Sequence, residues 1–170
     1  MEIVVPPPVQ AQWFLVGLPA LAVVVALLLR GRPLVHRVLP VLVVSAACAA
    51  AWHFALRPMR FAWDREGVRD GTFGEERVIR WADVREARLV RGFWRSDVRP
   101  VRRTHGTAYA GWCSGTWQVA DGRSLRVFID PAARDALLVT AAGDTYLWAP
   151  GSFDRFVEDV RRGTGKPAGP

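Results

Sequence analysis

The stretch Thr116-Trp117-Gln118-Val119-Ala120-Asp121-Gly122-Arg123-Ser124-Leu125-Arg126-Val127-Phe128-Ile129 decides how the polar part of this chain folds. Two short runs flank Asp121-Gly122. Glycine accepts the positive φ that a two-residue type I′ turn requires, so this dipeptide between two such runs predicts a β-hairpin. Leu125–Ile129 places apolar and charged residues on opposite faces, or nearly so, and Val78-Ile79-Arg80-Trp81 repeats the pattern. Ala142-Gly143-Asp144 is a weaker turn of the same kind. Working outward, turn residues bound short alternating pieces. They predict strands at Met59–Asp64, Gly67–Asp70, Glu76–Trp81, Arg85–Val90, Thr107–Trp112, Thr116–Ala120, Ser124–Ile129, Leu137–Thr140 and Thr145–Trp148. Short strands at even spacing, without intervening helices, predict an antiparallel sandwich or barrel.

The last element has another period. Phe153, Phe156, Val157 and Val160 recur at i, i+3, i+4 and i+7 within Ser152–Arg162, one apolar stripe on an α-helix. Ser152 stands at the N-cap position, Asp154 in the first turn and Arg161-Arg162 in the last, all suited to the helix dipole. The Gly/Pro-rich tail 163–170 predicts disorder.

Upstream the chain changes character. Trp13–Leu29 carries no charged residue, and Val38–Leu56 carries only His53 near its end. Apolar stretches of roughly 17–25 residues suffice to cross about 30 Å of hydrocarbon. The expectation is a two-helix transmembrane hairpin, with spans at about 13–29 and 38–56 behind an N-terminal tail at 1–12. That makes the chain an integral, multi-pass protein of the cell membrane. Trp13 and Trp52 would then share one bilayer face, with His53 at the wetted end. Ala22, Ala26 and Ser45–Ala51 would let the two helices approach closely. Arg30, Arg32 and Arg37 in the link pull against Arg57, Arg60, Arg65 and Arg69 after it, so charge leaves the orientation open.

Composition limits the chemistry. The chain has 170 residues and a formal charge of +7, room for one domain at 57–162 beyond the apolar part. Its basic excess is local: Arg91, Arg95, Arg99, Arg102 and Arg103 face only Asp97 within Arg91–Arg103. Cys48 and Cys113 form no metal-ligand spacing. Gly71-Thr72-Phe73-Gly74 is too short for a phosphate-cradling loop and lacks the following Lys-Ser/Thr. Carboxylates are scattered at turns and strand ends. No catalytic, cofactor-binding or metal residue is therefore assigned, and no cofactor. Nucleic acid is not expected, for want of a base-stacking array. Cys113 with His105 would be the pair for a membrane-anchored thiol enzyme, but a strand cysteine reads as a small buried hydrophobe.

Three stretches carry a family likeness. Ile79-Arg80-Trp81-Ala82-Asp83-Val84 pairs a strand with a turn bearing a tryptophan and an acid. Gly111-Trp112-Cys113-Ser114-Gly115-Thr116-Trp117-Gln118-Val119-Ala120-Asp121-Gly122-Arg123 is an aromatic strand leading into an Asp-Gly hairpin. Leu137–Thr140, Thr145–Trp148 and the helix at Phe153–Val160 complete the pattern. Across residues 59–162 it resembles the bacterial pleckstrin-homology-like domains, many of which follow a pair of transmembrane helices. The resemblance implies a partly open antiparallel β-barrel capped by the C-terminal helix. It carries no function with it, since one fold hosts many. Asp64-Arg65-Glu66-Gly67-Val68-Arg69-Asp70 in the first hairpin is a balanced mixture of charges, unlike the basic hairpin of phosphoinositide binders.

The segment Arg91–Thr104 is the candidate contact. It is long for a hairpin connection, and long loops are commonly functional. Arg91, Phe93, Trp94, Arg95, Arg99, Arg102 and Arg103 could rest on anionic lipid headgroups, rings at headgroup level and cations attracted to the surface. The expectation is a membrane-anchored, non-enzymatic module for protein interaction or membrane-surface binding. Its partners are the lipid bilayer, anionic headgroups or a protein of unspecified identity. The alternative is an accessory subunit packing its helical hairpin against a larger membrane complex.

Overall fold

The computed structural model describes residues 1–6, 17–18, 20–24, 27, 31, 33–55, 59–72 and 75–165; within these, the side chains at 34–37, 51–55, 72, 75 and 109 are not described. The chain divides into two compact units, Met1–Val4 with Met59–Pro170, and Val5–Pro58.

In the second unit, helical backbone occurs at 17–18, 20–24 and 27 and in α1, Leu34–Ala55, which contains Pro40. Among the described residues, no helix is long and apolar enough to cross a membrane. Helix α1 carries Arg37 in its first turn and Pro40 inside it, where an N–H would otherwise donate along the helix. The expected transmembrane hairpin is corrected accordingly. With it goes the integral, multi-pass cell-membrane placement. The expectations for Trp13, Ala26, Trp52 and His53 lie outside the described side chains. Ala22 and Cys48 are buried here, while Leu21, Leu27, Leu39, Leu42 and Val43 are more than half exposed.

The first unit is mainly β. Its strands are β1 (Glu2–Val5), β2 (Met59–Trp63), β3 (Gly67–Thr72), β4 (Glu75–Arg80), β5 (Val84–Val90), β6 (Pro100–Tyr109), β7 (Trp112–Val119), β8 (Ser124–Ile129), β9 (Ala136–Ala141) and β10 (Asp144–Ala149). Short 3-10 turns at Trp81–Asp83 and Phe93–Arg95 interrupt them, and α2 (Phe153–Thr164) follows. One sheet has the order β1-β2-β3-β4 and the other β5-β9-β10-β8-β7-β6.

The second sheet is not wholly antiparallel, as the sequence had suggested. The β9–β10 hairpin inserts between β5 and β8, so β10 runs parallel to β8, with Tyr146 opposite Arg126 and Ala149 opposite Ile129.

Turn chemistry also differs from the sequence reading. At Asp121-Gly122 only Gly122 has positive φ, +90°. The Gly122 N–H donates to Val119 O (2.9 Å) and the Val119 N–H to Arg123 O (2.9 Å), closing a three-residue loop that ends on a left-handed glycine. Type I′ character, with positive φ at both central residues, belongs instead to Ala142-Gly143 (51°, 89°) and Ala110-Gly111 (47°, 83°). The latter breaks the strand expected at Thr107–Trp112 into the end of β6 and the start of β7.

Strands β2, β8 and β10 and helix α2 share an aromatic core. Phe61 of β2 stacks on Phe128 of β8 with centroids 4.4 Å apart. Phe156 of α2 meets Phe61, Trp63 and Trp148 edge-on. Phe156, Val157 and Val160 are the buried stripe of α2. The Trp63 indole N–H also donates to Asp159 of the helix (3.1 Å). Ser152 occupies the N-cap position without a side-chain capping bond. At the other end, the helix continues through Gly163 and Thr164, expected as tail, and closes on left-handed Gly165, whose N–H donates to Arg161 O (3.0 Å). Residues 166–170 lie outside the described part.

The opposite face of the second sheet is apolar too. Leu125, Val127, Ile129, Leu138, Leu147 and Ala149 form a cluster with Phe93 and Val98. A sheet buried on both faces reads as continuous apolar runs, as in Ala136-Leu137-Leu138-Val139.

Candidate functional site

That second apolar face determines what Arg91–Thr104 does. The segment is not an open loop: it folds over the sheet and covers it. Phe93 and Val98 are fully buried beneath it, so Phe93, expected at a bilayer surface, is corrected to a core residue. Burying a phenylalanine side chain stabilises by about 1.5–3 kcal/mol, which an exposed position would forgo.

Hydrogen bonds clip the cover down at both ends. Gly92 adopts the left-handed conformation (φ 56°) and opens the 3-10 turn Phe93–Arg95. Its N–H donates to Asp135 Oδ1 (2.8 Å). The Trp94 indole N–H donates to Ala133 O (3.1 Å), and the Phe93 and Trp94 rings lie 4.6 Å apart. The Arg95 N–H donates to Gly92 O (2.9 Å) and the Ser96 N–H to Phe93 O (3.0 Å). At the far end, Asp97 O accepts from the Asp121 N–H (3.0 Å) and Arg99 O from the Ala120 N–H (3.1 Å).

This clamping turns the charges outward. Arg91, Trp94, Arg95, Arg99, Arg102 and Arg103 are exposed, Trp94 by 41%. Among the described residues, none of these arginines makes an ion pair, whereas Arg69, Arg77, Arg123, Arg126 and Arg162 do. The hydrogen bond to Asp121 raises the Arg123 guanidinium above its ordinary value against burial, with the charges of Asp121 and, least, Asp97 adding to it. Arg102 and Arg103 are not loop residues. They sit on β6, an edge strand, opposite Gln118 and Trp117, with bulges between Pro100/Arg102 and Arg103/His105. Bulges and charges on an edge discourage another chain's strand from pairing there. What this edge offers a partner is its side chains.

The fold also brings in residues that local reading missed. The turn after β8 is organised by Asp130, whose Oδ1 accepts the Ala132 N–H (2.8 Å) and whose carbonyl accepts the Ala133 N–H (3.0 Å). It sets exposed Arg134 beside the Trp94 turn. A shallow cleft of about 190 Å³ lies there, lined by Ala132–Asp135, Pro150, Gly151 and Phe153. Arg134 stands some forty residues from Arg95 in sequence, and only the Ala133 and Asp135 hydrogen bonds reveal the proximity.

Cys113 and His105 are not brought together. Cys113 pairs with Ala108 and His105 with Thr116, three positions along the hairpin, or about 10 Å. Burial pushes the Cys113 thiol up from its ordinary value, away from the thiolate a nucleophile needs. Among the described residues, no group of His, Cys, Asp and Glu could hold a metal ion.

No protein family, no curated protein and no solved structure matches this chain. None of these comparisons identifies a bacterial pleckstrin-homology-like domain.

Proposed function

We propose that this chain is a non-enzymatic module that rests on an anionic membrane surface through Trp94, Arg95, Arg99, Arg102 and Arg103, flanked by Arg91 and Arg134. One observation carries the reading: exposed arginines, none of them ion-paired among the described residues, flank a partly exposed tryptophan on a segment clamped to the core. They continue onto the β6 edge, where Arg102 and Arg103 alternate between the sheet's two faces. Rigid presentation spares the ordering entropy that a free loop would lose on binding. The indole suits the headgroup region, and each cation near an acidic surface contributes about 1 kcal/mol.

The full chain should bind phosphatidylserine-containing vesicles and leave them as salt rises, since surface attraction decays within a Debye length of about 10 Å at 0.1 M. Replacing Arg95, Arg99, Arg102 and Arg103 by Gln should lower vesicle affinity on the order of 1,000-fold. The melting temperature should barely move, because surface changes stay within roughly 0.5 kcal/mol. Salt-insensitive binding, or none by the unaltered chain, would exclude this function.

A further inference from the structure

We propose that Asp135 is a positioning residue for this contact: its carboxylate sets the Gly92 turn and thereby the placement of Trp94 and Arg95. The inference rests on the membrane-surface reading and names the group that organises that surface. Asp135 is acidic, at the margin of a basic patch, where electrostatics alone would disfavour it. Its Oδ1 accepts the Gly92 N–H at 2.8 Å. Gly92 is the left-handed residue from which the 3-10 turn Phe93–Arg95 starts, and nothing lies within 4 Å of where its β-carbon would be. Phe93 anchors the segment in the core from one side of Gly92, and the Gly92 backbone itself is tied to the turn after β8 by its bond to Asp135. Two residues away, Ala133 O takes the Trp94 indole N–H at 3.1 Å. One short turn, 133–135, grips both the start of the contact turn and its aromatic ring. The carboxylate of Asp130 is engaged with the Ala132 N–H (2.8 Å), which fixes that turn in its own right.

The consequence runs against charge counting. Asp135→Ala raises the formal charge by one from +7, so a purely electrostatic surface would bind anionic vesicles more tightly. If Asp135 positions the turn, the variant binds more weakly, about fivefold, the equivalent of about 1 kcal/mol. Asp135→Asn removes the same charge and keeps an acceptor oxygen, so it should bind as well as the unaltered chain or better.

The experiment compares the full chain, Asp135→Ala and Asp135→Asn on vesicles of phosphatidylserine and phosphatidylcholine, with melting temperatures taken alongside. Trp94→Phe, which keeps a ring but loses the bond to Ala133, is an independent arm and should also weaken binding. Weaker binding by Asp135→Ala with rescue by Asp135→Asn supports the proposal. Tighter binding by both Asp135 variants overturns it and leaves the membrane-surface reading intact. Should Asp135→Ala fail to fold, unchanged affinity in Trp94→Phe overturns it instead. No binding by the unaltered chain removes the surface reading and this inference together.

Discussion

Asp64 shows how one side chain organises a turn. Its Oδ1 accepts the N–H groups of Glu66 (2.8 Å) and Gly67 (3.2 Å) between β2 and β3, while Oδ2 faces Arg69 at 3.4 Å. The Glu66 N–H is the chief cause holding this carboxyl below its ordinary 3.8, against the opposing effect of burial, with Gly67 and Arg69 adding to it. A carboxyl whose folded value is lowered contributes stability above its unfolded value and loses it as pH falls through the folded one. Urea midpoints measured from pH 7 down to pH 2 should therefore fall more steeply below about pH 4 for the unaltered chain than for Asp64→Asn. The amide keeps an acceptor for the turn but does not titrate. Parallel curves would show that the turn bonds do not depend on ionisation. Trp148 presents the opposite situation: its buried indole N–H has no partner among the described residues. Its ring sits edge-on to Phe61 and Phe156, so packing holds it in place.

Helix α2 is the element whose docking is most constrained. A β-carbon at Gly163 would overlap the Trp81 ring. That ring is buried, and its indole N–H donates to Asp64 O at 3.0 Å, so it cannot readily move aside. Two effects compete in Gly163→Ala. Alanine gains about 1 kcal/mol of helix propensity, whereas overpacking costs about 1–3 kcal/mol. Steric conflict with a pinned ring should prevail, and chemical denaturation should show a net loss of about 1 kcal/mol. A rise in stability would mean that the helix end is free to shift. The sequence foretold the buried stripe of α2 from its 3.6-residue period, but placed Gly163 in a tail, because a glycine needed for close approach looks the same as one ending a helix. The strands were legible for a similar local reason: alternation and turn residues located β2 to β5 and β8 to β10 closely, but only the second half of β7. Strand β6 was not, since Pro100-Val101-Arg102-Arg103 is an exposed edge with no buried face to impose alternation. The candidate contact was legible as an arginine-rich run. The burial of Phe93 and the nearness of Arg134 and Asp135 depend on which sheet face lacks a cover, and that follows from strand order.

At the level of the whole molecule, two sheets and α2 share one aromatic core, and the second sheet carries a further apolar face closed by the arginine segment. The acidic end of β10 joins the sheets at their seam: Asp144 faces Arg77 of β4 (3.4 Å) and Arg126 of β8 (3.8 Å). Burial and then the neighbouring Asp144 charge push the Tyr146 hydroxyl up from its ordinary value, so it stays neutral beside this cluster. Strand order has a further consequence, for the timing of synthesis. β9 and β10 leave the ribosome after β5 to β8, yet they occupy the middle of the sheet. Until Ala141 has emerged β5 lacks its neighbour, and until Ala149 has emerged β8 offers an open edge. Nascent chains halted near residue 130 should therefore recruit chaperones or aggregate, as unpaired strand edges do at micromolar concentration. Refolding of the complete chain should be slow, because β5 must find β9 across about fifty residues before the sheet can close. The strands made last are the ones that let the rest fold.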